Sequence, residues 1–81
     1  MKAKIYITFK SGVLDPQGKA VQHALATLGF GDVQDARIGK FIELKPNGTD
    51  RKKANEDVKQ MCEKLLANTV IESYRYDIEG A

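Results

Sequence analysis

The sequence predicts a small α+β domain, a ferredoxin-like βαβ(β)αβ sandwich with two helices on one face of a small antiparallel sheet. Three observations predict it. Segments at the two ends and in the middle run with a period of two, and two segments between them each carry one apolar stripe at helical spacing. The length of 81 residues holds a single domain, residues 1–81, and no second one.

In the first strand, Ala3, Ile5, Ile7 and Phe9 share one side, and Lys2, Lys4, Tyr6 and Thr8 the other. Lys10-Ser11-Gly12 breaks this alternation. Asp15 then offers a carboxylate to the free N–H groups of a first helical turn, and Pro16 takes the position where its missing donor costs nothing. Ala20, Val21, Ala24, Leu25 and Leu28 form the stripe of that helix, which Gly29 stops by turning left-handed. Val33 to Lys45 is extended, with Ala36, Ile38, Ile42 and Leu44 on one parity and Lys40 interrupting. It forms either two strands joined around Gly39-Lys40 or one long strand bent at Gly39.

Pro46-Asn47-Gly48 is a turn, and Thr49 or Asp50 caps the second helix. Its stripe is Ala54, Val58, Met61, Cys62, Leu65 and Leu66. Val70 to Ile78 is the last strand, with Val70, Tyr74, Tyr76 and Ile78 on one face. The sheet face away from the helices carries Tyr6, Thr8, Phe41 and Ile71 among charged residues. Such a face is too apolar to rest in water and too polar to be a core, so these four are the expected oligomer contacts.

Composition excludes several classes of function. The formal charge is +2, from 13 Lys and Arg against 11 Asp and Glu, without the concentrated basic stripe of a nucleic-acid binder. No apolar run approaches the roughly 20 residues of a membrane span, and Met1 to Lys10 lacks the apolar core of a signal peptide, so a cytoplasmic, reduced protein is expected. One cysteine, Cys62, rules out an internal disulfide, and with His23 it makes too few ligands for zinc. A chain this short buries only about 60% of its unfolded surface, and self-association adds to that.

The sequence also argues against a reaction centre. Between Gly12 and Lys19 the spacing differs from a phosphate loop: five residues separate Gly12 from Gly18, Ala20 stands where a hydroxyl is needed, and Pro16 removes a donor. Gly29-Phe30-Gly31 follows a helix and lacks a third glycine, so it is a helix stop. Cys62 belongs to the apolar stripe of its helix, while His23 lies opposite Val21, Leu25 and Leu28; they do not make a nucleophile and base. Asp15, Asp32, Asp35, Glu43, Glu72 and Asp77 show no metal or glycosidase spacing. Arg51-Lys52-Lys53, in a first helical turn where the dipole disfavours cations, reads as a solvated face ahead of a patch for an acidic partner. Asn47-Gly48-Thr49 matches a glycosylation acceptor, a match without meaning in a protein that is not secreted.

Several segments together resemble the PurS family: Lys10-Ser11-Gly12-Val13-Leu14-Asp15-Pro16-Gln17-Gly18, Leu28-Gly29-Phe30, Arg37-Ile38-Gly39-Lys40-Phe41-Ile42-Glu43-Leu44, Leu65-Leu66-Ala67-Asn68 and Val70-Ile71-Glu72. They span nearly the whole chain in the family's order. Two departures stand out: Thr69 where the family often has Pro, and Ala36 where it often has a β-branched residue. The resemblance implies a small, non-catalytic subunit of phosphoribosylformylglycinamidine synthase in purine biosynthesis. In that assembly a glutaminase subunit releases ammonia, and a large synthetase subunit uses ATP and magnesium to convert formylglycinamide ribonucleotide to the amidine. By the same resemblance the small subunit is expected to bridge them, to help shape the ammonia route, and to form dimers or higher assemblies while binding no cofactor.

Asp15, Pro16 and Gly18 at the first helix start, with Arg37, Gly39 and Lys40 at the middle bend, are the candidate partner contacts. Arg37 and Lys40 lead, because a bend needs its glycine but has no use for two cations. Their replacement by alanine is expected to spare folding and weaken assembly. The alternative function is a free-standing module that binds a small metabolite at a dimer interface, to be separated by thermal-shift screening with amino acids and nucleotides. A sheet that stacks RNA bases on aromatics ranks last.

Overall fold

The computed structural model describes residues 1–80; Ala81 and with it the end of the expected domain lie outside them. The elements are β1 (Lys2–Phe9), α1 (Pro16–Thr27), β2 (Lys40–Leu44), α2 (Arg51–Met61), a wide π-helical turn (Cys62–Leu66) and β3 (Glu72–Glu79). The sheet has the order β2-β1-β3, and β1 runs antiparallel to both neighbours. The arrangement is consistent with the expected ferredoxin-like one, without the optional edge strand before β2. Residues 33–39 occupy that stretch of chain without pairing.

The pairing puts Ala3 between Leu44 and Ile78, Ile5 between Ile42 and Tyr76, and Ile7 between Lys40 and Tyr74. Ala3, Ile5 and Ile7 are fully buried in one cluster with Val58 of α2, Cys62 of the wide turn and Ala67 just after it. The expected alternation of β1 thus holds from Ala3 to Ile7. Burying each of the two isoleucines contributes roughly 2 kcal/mol. Asp50, of the two residues proposed, caps α2: its carboxylate accepts from the Lys53 N–H at 3.1 Å.

Four details differ from the sequence reading. The middle segment is neither a hairpin nor one long strand, but a five-residue strand preceded by an irregular extended run. Beyond α2, Leu65 is exposed because the wide turn advances the phase: the Ala67 N–H bonds the Cys62 carbonyl five residues back, and Ala67 is buried instead of Leu65; Met61, ahead of the turn, is exposed as well. The last strand begins at Glu72, not Val70. Asn68 is the cause: its side chain accepts from the Val70 N–H and its carbonyl from Ile71 and Glu72, so Val70 and Ile71 sit in a turn. Finally, only α2 lies on the sheet core. No residue of α1 belongs to that core, and Val21 and Leu28 are exposed.

Candidate functional site at the helix start and strand bend

All six candidate contacts meet at one end of the sheet, where β1 leaves for α1 and the 33–39 run enters β2. Asp15 is buried although it is an acid. One carboxylate oxygen accepts from the Gly18 N–H at 2.9 Å, and the other from the Ile38 N–H at 2.9 Å. It therefore caps α1 and ties the helix to the run that precedes β2. Those two backbone donors, Gly18 first, hold its carboxyl below the ordinary range, and the Arg37 charge adds to the effect. Pro16 occupies the first helical turn beside it.

Two glycines permit close approach. A side chain at Gly18 would collide with the Ala36 carbonyl oxygen, and one at Gly39 with the Ile7 carbonyl oxygen. Neither has a left-handed backbone, so contact and not conformation demands glycine. Arg37 reaches back: its guanidinium donates to the Phe9 carbonyl at 2.8 Å and the Lys10 carbonyl at 3.1 Å. The β1–β2 pairing ends at Ile7 and Lys40, so Ile38 would face Phe9 next. The chain bends off at Gly39, and Arg37 satisfies the acceptor that the missing partner leaves. Lys40 pairs with Glu72 of β3 across the end of β1 at 3.7 Å, its side chain largely exposed. The bend therefore uses one of its two cations as structure.

The groove over this junction is lined by Gly12 to Asp15, Lys19 and Gln34 to Arg37. Gln22 of α1 donates to the Gln34 carbonyl at 2.9 Å, a tie that sequence reasoning missed because glutamine reports nothing by its spacing. Also missed was Arg51, whose guanidinium bonds the Ile78 and Gly80 carbonyls at 2.9 and 3.0 Å. The first cation of the Arg51-Lys52-Lys53 run thus anchors α2 to the end of β3.

On the opposite face, Tyr6 and Phe41 pair with ring centroids 5.1 Å apart, and the Arg75 guanidinium lies 4.0 Å over the Tyr6 ring. Thr8 is exposed two residues along the same strand. Strand parity beside Tyr6 was the signal that would have found Arg75. Ile71 lies off this strand face in the turn, its carbonyl accepting from the Lys10 N–H.

Cys62 is fully buried, and that burial pushes its thiol up, away from the reactive thiolate. His23 is exposed on α1. No group of His, Cys, Asp or Glu among the described residues is arranged to hold a metal ion.

A family model described as PurS, phosphoribosylformylglycinamidine (FGAM) synthase, matches residues 2–80. The chain belongs to the PurS family. It is 58% identical over 78 residues to the phosphoribosylformylglycinamidine synthase subunit PurS of Bacillus subtilis (strain 168), covering 96% of this chain and 92% of that one. The Synechocystis PurS subunit is 48% identical over 81 residues, covering 96% of this chain and 81% of the relative. Among solved structures, B. subtilis PurS superposes with a TM-score of 0.86 at 57% identity, covering 98% of both chains. A chain of the PurLQS structure from Thermotoga maritima superposes at 0.85 with 36% identity, covering 94% of this chain and 93% of that one. The α+β fold of this chain, with α1 at the end of the sheet, is therefore the PurS fold.

Proposed function

We propose that this chain is the small bridging subunit of a three-chain phosphoribosylformylglycinamidine synthase, acting in the cytoplasm in purine biosynthesis. It carries no reaction centre. The large synthetase subunit binds ATP and magnesium and makes the amidine, the glutaminase subunit supplies ammonia, and this chain joins them as a homodimer or tetramer and helps shape the ammonia route. The observation that carries the reading is the likeness, over nearly the full length, to a chain of a PurLQS structure. The buried, hydrogen-bonded state of Asp15 and the inert setting of Cys62 agree with a structural part rather than a catalyst.

Arg37 and Lys40 remain the candidate partner contacts, with Tyr6, Thr8 and Phe41 the candidate surface between copies; Ile71, in the turn before β3, lies off that face. Adding the purified chain to the synthetase and glutaminase subunits is expected to restore glutamine-dependent formation of the amidine. Equal activity with and without the chain would overturn the reading.

A further inference from the structure

The Asn47-Gly48-Thr49 stretch takes no part in the sheet, the core or the junction at Asp15. It forms the bend between β2 and α2, with all three residues exposed. β2 starts at Lys40 opposite Ile7 and ends at Leu44 opposite Ala3, so the bend lies at the other end of the sheet from that junction. Gly48 has a left-handed backbone, with φ at +87°. No atom beyond its chain neighbours lies within 4 Å of where a Cβ would stand. Asn-Gly is a favoured pair for such a bend.

The same features make the pair reactive, asparagine being one of the thermolabile side chains. The Asn47 carboxamide carbon can reach the next backbone nitrogen by closing a five-membered ring. Elsewhere in a protein the following side chain screens that nitrogen, and a helix or strand occupies its N–H. Here Gly48 has no side chain, and among the described residues neither its N–H nor the Asn47 amide makes a hydrogen bond. We propose that Asn47 is a site of spontaneous deamidation in the folded chain. Hydroxide removes the Gly48 N–H proton, and the nitrogen attacks Asn47 Cγ. The Cγ–Nδ2 bond breaks, and Nδ2 leaves as ammonia with a proton taken from water, which regenerates hydroxide. Water then opens the cyclic imide. Opening at Cγ gives aspartate, and opening at the main-chain carbonyl gives isoaspartate, in which the backbone runs through the side chain. Overall, water is consumed and ammonia released, with no change of oxidation state.

The remaining amides of this kind are held. Asn55 lies within α2, where the backbone is helical, and is followed by Glu56. Asn68 accepts from the Val70 N–H at 3.2 Å and is followed by β-branched Thr69. Gln17 precedes a glycine, but the Gly18 N–H is donated to Asp15 at 2.9 Å. The new carboxylate at position 47 stands just ahead of Arg51-Lys52-Lys53 at the start of α2, where the helix dipole favours an anion. The fold therefore keeps the product, and the formal charge falls by one unit from +2.

Incubation of the native chain in warm, mildly alkaline buffer, followed by peptide mapping in a mass spectrometer, tests this. The peptide holding Asn47 is expected to lose its amide, with ammonia released in equal amount. A more acidic isoform is expected on isoelectric focusing, at unchanged far-ultraviolet circular dichroism. Isoaspartate in that peptide is expected to accept a methyl group from S-adenosylmethionine when an isoaspartyl methyltransferase is added. Asn55 and Asn68 are expected to lag behind Asn47 in the native chain and to catch up when it is unfolded in guanidinium chloride. Asn47→Gln is expected to lose the acidic isoform. An Asn47 that stays intact in the native chain overturns the proposal, whether or not it reacts after unfolding. So does native deamidation that falls first on Asn55 or Asn68, or an acidic isoform that persists in Asn47→Gln.

Discussion

At Phe9 the β1 backbone loses its neighbour, and a carbonyl left without a donor costs about as much as a lost hydrogen bond. Arg37 fills that place from 28 residues away in sequence. Arg37→Ala is therefore expected to lower stability by about 1 kcal/mol in thermal or urea melts. Lys40→Ala, which loses only an exposed ion pair at 3.7 Å, is expected to leave the melt within about 0.5 kcal/mol of wild type. If both residues also contact partners, each variant weakens co-elution with the synthetase and glutaminase subunits; Lys40→Ala isolates that effect from stability. Asp15 predicts a pH dependence. Its folded carboxyl titrates below the ordinary carboxylate range because Gly18 and Ile38 donate to the ionised form. Its contribution is full above the ordinary aspartate value and is lost as the pH falls through the lowered one. Melting temperature is expected to drop on the acid limb below about pH 4, and Asp15→Asn to flatten that limb. An unchanged acid limb in the variant would assign the loss to other groups.

Among the elements, α1 shows how a correct local assignment can leave packing open. Asp15, Pro16 and Gly29 define its ends, and the Gly29 backbone is left-handed, as the stop requires. Its contact with the rest of the chain is through Gly18 and Gln22, at one face and near its start. In an isolated helix, Gly18→Ala would gain about 1 kcal/mol. Here the new methyl collides with the Ala36 carbonyl, so a net loss of about 1–3 kcal/mol is expected in denaturant melts. A more stable Gly18→Ala protein would show that the approach of α1 to the 34–38 run is not fixed. The α2 stripe was legible as far as Cys62. Beyond it the wide turn changes the period, and the Leu65-Leu66-Ala67 sequence carries no breaker that announces this change.

For the molecule as a whole, the half-covered sheet and the bare α1 stripe tie stability to association. Melting temperature is expected to rise with protein concentration over the micromolar range, because the paired state is favoured by mass action. A melting temperature independent of concentration, for a chain of mass 9.0 kDa in the same solution, would mean that the single chain is self-sufficient. From residue types and spacing the sequence offered no candidate for a reaction centre: one cysteine, one histidine and no phosphate loop. Asp15 and Gly18 were singled out at the helix start and Arg37 and Gly39 at the middle bend, as two places; neither their meeting at one end of the sheet nor their roles were legible. A side chain's use depends on which carbonyls come near it, and those come from segments distant in sequence.

By itself the sequence determined the antiparallel α+β class, the Asp15 cap of the first helix and the Thr49-Asp50 start of the second, the inward row Ala3, Ile5 and Ile7, and the family. These follow from local periodicity and backbone chemistry, which act within a few residues. Only the tertiary structure decided that β2 is short, that Arg37 completes the β1 ladder, and that α1 lies past the sheet with its apolar stripe bare. Periodicity tells that a stripe must be covered; which surface covers it is set by contacts across the fold and between copies.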